Sequence, residues 1–122
     1  MSYPAADRNA FLTSQITGTG YIALYTTAPD DDGSGGTECT GGSYARVAHS
    51  AWTTASAGNR ANDGAITFPT ATADWGTIVA ATWMSAASGG TQKAVTDTFT
   101  GGAVTSGITA EFATGVLDFN FA

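Results

Sequence analysis

The sequence predicts an all-β fold, a single antiparallel β-sandwich (Ig-like or jelly-roll-like) of about seven strands with a short N-terminal helix. Three observations carry that prediction. Short aromatic and β-branched segments recur along the chain, and glycine-rich turn formers separate them. The clearest segments also alternate apolar and polar residues with the strand period of two. At 122 residues the chain has the length of one domain, and 43% of it is hydrophobic, including three Trp, four Tyr and six Phe. That is enough to build a core, which argues against disorder.

Residues 1–20 read as an N-terminal arm and 21–122 as the sandwich domain. In the arm, Ala5 to Gln15 has the character of a short helix: Pro4 suits its first turn, and Asp7 lies near the positive end. Ala10, Phe11 and Gln15 are compatible with it, and Gly18-Thr19-Gly20 would stop it. Tyr21 to Thr27 is the first strand, with Ile22 and Leu24 on one face and Tyr21, Ala23 and Tyr25 on the other. Ala28-Pro29 ends it, and a long polar loop follows from Asp30 to Gly42. Further strands are expected over 43–49, 65–68, 77–85, 92–99, 107–112 and 116–121. Gly58-Asn59, Asp63-Gly64, Ser88-Gly89-Gly90 and Gly101-Gly102 separate them. In the last strand Leu117, Phe119 and Phe121 point one way, and Val116, Asp118 and Asn120 the other.

Charge narrows the function. Only 11% of residues are charged, and four Lys/Arg against ten Asp/Glu give a net charge of -6. Such a chain is not expected to track nucleic-acid phosphates. No apolar run is long enough for a transmembrane helix or a signal-peptide core, so no membrane partner is expected. One cysteine rules out an intrachain disulfide and a multi-cysteine zinc site. Ala, Thr and Gly fill 60 of the 122 positions. A surface so poor in ions can lie against another protein without desolvating many charges, which suits an assembly component.

Chemistry-bearing residues are sparse. Cys39 and His49 are the single cysteine and histidine, and neither sits in a nucleophile motif. The loop at 33–42 has the glycines of a phosphate loop but leads into a strand and lacks a lysine. Asp30, Asp31 and Asp32 form the one weak calcium candidate, yet the EF-hand spacing fails, because Gly41 stands where the bidentate Glu should be. A glycosidase-type pair could be drawn from Asp63, Asp74, Asp97 and Asp118, and nothing local selects any two. No catalytic residue, cofactor or metal is therefore expected. Trp83 and Trp75 read as core or end-capping residues, and Trp52 as the tryptophan best placed for exposure. Tyr44 and Arg46 project to one face two residues apart, where the guanidinium can stack on the ring or pair with Glu38. Tyr44, Arg46, Trp52, Phe11 and Glu38 are the candidate interface residues.

Several blocks together resemble a family of small tailed-bacteriophage virion proteins, of tail-fibre-like or head-decoration-like type. They are Tyr21 to Pro29, Gly35 to Glu38, Gly41 to Arg46, Ile66 to Pro69 and Ala71 to Gly76. Asn9 to Leu12 resembles the leading helix of that family, so the likeness spans nearly the whole chain. It departs at Trp83 to Gly90, where a more acidic turn would be typical, and the closing strands are only loosely similar. The resemblance implies a non-enzymatic virion structural protein. Its first expectation is a capsid decoration (cement) protein on the capsid exterior, bound to the major capsid protein and homo-oligomeric, with a trimer favoured. The alternative is a tail-fibre-associated or tail-tip protein, and a carbohydrate-binding module using Trp52 and the acidic loop is a second alternative.

Overall fold

The segment with the strongest strand signature becomes the centre of the fold. Strand β1 (Gly20–Thr27) pairs antiparallel with β7 (Ala80–Met84) from Tyr21↔Met84 to Tyr25↔Ala80. Beyond β7 lies β8 (Gln92–Val95). Two short strands share the other edge of β1: β2 (Thr37–Glu38) pairs with Tyr25 and Thr27, and β3 (Val47–His49) with Gly20 to Ile22. Three antiparallel ribbons complete the all-β architecture. They join β4 (Asn59–Ala61) to β11 (Asp118–Asn120), β5 (Ile66–Thr67) to β10 (Glu111–Phe112), and β6 (Gly76–Thr77) to β9 (Ala103–Val104). This computed structural model describes residues 6, 9, 10, 13, 14, 16, 18–30, 33–56, 59–96, 99 and 101–120.

The period-two pattern of β1 sorts its side chains into two clusters, as expected. Ile22 and Leu24 join Ala81 and Trp83 of β7 in the main core, with Ile66, Phe68, Val104, Leu117 and Phe119 from the ribbon side. The sheet and the ribbons thus enclose that core as sandwich-like layers. Ala23, Tyr25, Ala80 and Met84 form a smaller cluster on the opposite face, against which Tyr21, Ala28 and Val79 pack. The loop after Ala28 is tied to the far edge of the sheet, because Gln92 Nε2 donates to the Asp30 carbonyl at 3.0 Å. Close packing also explains one glycine. A Cβ at Gly20 would lie 2.5 Å from the Trp83 ring, so only glycine lets that indole rest on β1.

Several expectations need correction. The strands are shorter and more numerous than the sequence suggests, eleven among the described residues in place of about seven. Residues 43–46 are a turn and corner rather than strand, and the expected strand 77–85 is broken around Ile78 and Val79. There Val79 packs with Ala80 in the small cluster, not with Trp83, because the strand alternation is interrupted between them. The separator at Asn59 is part of β4, and Ala103-Val104 just after Gly101-Gly102 is β9. Both are two- or three-residue strands held by cross-strand pairing, which local propensity does not announce. The helix expected from Ala5 to Gln15, with Phe11, falls largely outside the described residues, as do Asp31, Asp32, Asp97 and Phe121.

Candidate functional site

The most ordered polar arrangement is a corner built from the loop between β2 and β3. Gly41, Gly42 and Ser43 have φ of 70°, 53° and 66°, so three successive residues take the left-handed conformation. The Tyr44 N–H closes the turn onto the Gly41 carbonyl at 2.8 Å. The Gly42 carbonyl accepts from the Thr72 N–H at 2.9 Å and from Trp75 Nε1 at 3.0 Å, which docks the turn on the 72–75 segment. A Cβ at Gly42 would meet Ala73 N and O and Trp75 Nε1 at 2.9 Å, so this approach requires glycine.

The turn delivers Tyr44 and Arg46 to Glu38. The Tyr44 ring stands edge-on to Trp75 at 5.2 Å, and its hydroxyl donates to Glu38 Oε2 at 2.7 Å while accepting the Leu24 N–H at 2.9 Å. Arg46 grips Glu38 with both arms, Nε to Oε2 at 2.9 Å and Nη2 to Oε1 at 2.8 Å. Its Nη1 donates to the carbonyls of Ala86 at 2.9 Å and Gly89 at 2.8 Å, clamping the β7–β8 turn to β2. Of the two geometries open to Arg46 in the sequence, the pairing with Glu38 is the one adopted. The guanidinium side chain is only 8% exposed.

Electrostatics follow from these contacts. Partial burial pushes the Glu38 carboxyl upward, but the bonds from Arg46 and Tyr44, together with the guanidinium charge, outweigh it and hold the group below its ordinary value. The same bonds raise Arg46. Burial, with Glu38 adjacent, pushes the Tyr44 phenol up, and the Cys39 thiol up to about 11. Cys39 is buried and stays a neutral thiol near neutral pH. Its N–H bonds to the Leu24 carbonyl, whereas His49 pairs with Gly20, four residues back along β1, or about 13 Å at strand rise. The fold thus keeps the histidine at the start of the strand and the cysteine beside its middle.

A second feature was not foreseen. An apolar groove of about 560 Å³ runs along the ribbon side, floored by Leu24, Ile78, Val104 and Leu117 and walled by Phe99 and Phe112. Glu111 and Asp118 lie on its lining, and Ile108 and Val116 flank it at 46% and 62% exposure. Partial burial holds the Asp118 carboxyl above its ordinary range, which the Arg60 backbone N–H offsets only in part. One sequence signal pointed here: the alternation of the last strand, with Leu117 and Phe119 buried and Val116 and Asp118 outward.

The remaining candidates scatter. Trp52 is not an exposed platform: it is 9% exposed, with its ring 5.1 Å from that of Trp83 and 5.7 Å from that of Phe119. The pattern around it is polar, and its inward position depends on distant residues: Asn62 pairs with it across a bridge, and Trp83 and Phe119 receive its ring. Asp30 is exposed in a loop turn, accepting from Ser34 Oγ at 3.4 Å and from the Gly33 N–H at 2.9 Å. No group of three or more His, Cys, Asp or Glu gathers among the described residues. Asn62 was missed altogether. It is fully buried, its Nδ2 donating to the carbonyls of Gly64 at 2.7 Å and Ala113 at 3.1 Å, and its Oδ1 accepting the Leu117 N–H at 2.9 Å.

A short-stranded sandwich whose best-formed polar cluster is an internal clamp, and whose open feature is an apolar groove, has the character of an assembly protein. The comparison with known families makes the class specific. Residues 8–120 match the family described as podophage GP4 fiber I protein gp80, and the chain belongs to that family. It is a bacteriophage virion structural protein, which associates with other virion subunits. No curated protein and no solved structure matches the chain.

Proposed function

We propose that the chain is a non-catalytic component of a tail fibre, holding its place in the virion through protein–protein contacts. The observation that carries this reading is the match to a fibre family over residues 8–120. It supports the fibre alternative ahead of capsid decoration. The geometry agrees with a structural role, since Arg46 and Glu38 spend their hydrogen-bonding capacity inside the fold and Cys39 is a neutral, buried thiol. Burial of Trp52 removes the stacking platform on which the carbohydrate-binding alternative relied.

The test is to separate heads from tails of purified virions and quantify the chain in each by mass spectrometry. Enrichment with the tail, at fibre-like copy number, is expected. Enrichment with the head, at hundreds of copies per particle, would establish capsid decoration and overturn the fibre reading. Light scattering on the purified protein then reads the homo-oligomer, for which a trimer is the expected state.

A further inference from the structure

We infer that the apolar groove is the socket for a segment of a different virion subunit, one that presents a large apolar side chain flanked by lysine or arginine. The inference rests on the fibre reading above and names the chemistry of the neighbour. Ile108 and Val116 are the exposed large hydrophobics among the described residues, and both belong to this one groove. Exposed apolar residues gathered at one apolar hollow mark an interaction site, where scattered ones would not. A volume of about 560 Å³ is in the range of formed binding pockets and takes an anchoring side chain with its neighbours.

The groove is also held ready. Val116 sits on a turn closed by its own N–H to the Ala113 carbonyl at 3.0 Å. Asn62 fastens both sides of that turn: its Nδ2 to the Ala113 carbonyl, its carbonyl to the Gly115 N–H at 2.9 Å, and its Oδ1 to the Leu117 N–H. A wall fixed before binding lowers the ordering cost of association.

Charge selects the occupant. Glu111 and Asp118 line the groove, and neither has a cationic partner among the described residues, whose one salt bridge joins Arg46 to Glu38. A segment bearing Lys or Arg beside its apolar anchor would meet both acids at the rim. A second copy of this chain is poorly equipped to supply it. Arg46 is engaged by Glu38 and two carbonyls, and Arg60 by the carbonyls of Thr53 and Thr13. Lys93 is exposed on β8, but the residues beside it, Gln92, Ala94 and Val95, are half-buried in their own sheet, so that strand presents no free apolar anchor next to its lysine.

The experiment places a photo-crosslinking amino acid at Val116 in phage particles and maps the adduct by mass spectrometry. The expected adduct lies on a different virion protein, at an apolar residue with Lys or Arg within a few positions. An adduct on a second copy, on a glycan or on a segment without basic residues overturns the proposal, as does the absence of any adduct in particles that contain the chain. As a second arm, purified Val116→Asp and Glu111→Lys variants are added to virions lacking the protein, beside wild type and a Lys93→Glu control. Incorporation should fall at least tenfold for the two groove variants, with thermal unfolding unchanged, and hold for the control. Groove variants that incorporate like wild type overturn the socket while leaving the fibre reading intact. Wild type that is absent from the tail instead defeats the fibre reading itself.

Discussion

At the scale of single residues, two polar side chains do work that apolar ones could not. Asn62 bonds two carbonyls and an N–H of the 64 and 113–117 segments from a fully buried position. Asn62→Leu keeps comparable volume but strands those three groups, and should cost about 3 kcal/mol or more, measured by urea unfolding. Glu38 makes stability depend on pH. Its folded pKa lies below the ordinary value of 4.5, so as the pH drops through that region the unfolded chain takes up the proton first. The contribution is complete above the unfolded value and is lost as pH falls through the folded one. Glu38→Gln should therefore unfold more easily at neutral pH and show a flatter loss of stability on acidification, read from unfolding midpoints over the acid range. Equal acid slopes for the two proteins would refute this account.

At the scale of elements, the edge of β1 poses the main problem. Its first residues pair with β3 and its last with β2, which leaves the middle without a ladder partner. Tyr44 fills the gap by accepting the Leu24 N–H, while the Cys39 N–H caps the Leu24 carbonyl. Leu24 is buried, so an unpartnered amide there is costly. Tyr44→Phe should destabilise the protein by about 1–3 kcal/mol. Hydrogen exchange should quicken at the Leu24 amide more than at Ala23 or elsewhere in β1, a local signature that general softening of the core would not produce.

At the scale of the whole molecule, the core draws on the sheet and all three ribbons, and its three tryptophans belong to a single cluster. Layers sharing one core are expected to unfold together. Cys39 provides an independent probe, since burial shields the thiol and raises its pKa to about 11. A thiol reagent should label it only in the unfolded chain, with a denaturant midpoint coincident with that of tryptophan fluorescence. Labelling well before the fluorescence transition would show that β2 opens by itself.

Much of this was legible from one-dimensional pattern. The all-β class, the two faces of β1 and the outward Val116 follow from alternation and residue spacing, local properties of the chain, whereas of the two geometries that spacing left open to Arg46 the turn at 41–46 selects the pairing with Glu38. Those features depend on which residues are neighbours in sequence, and strand geometry turns that order into direction. What only the tertiary structure decided depends on residues far apart meeting. The inward turn of Trp52 needs Trp83 and Phe119, and β4 and β9 exist because β11 and β6 pair with them. The role of Asn62 requires the 113–117 turn, and the groove requires β1, β9 and β10 to come together. Short strands have too little intrinsic preference to declare themselves, so in this protein long-range pairing sets their limits and the surface they leave open.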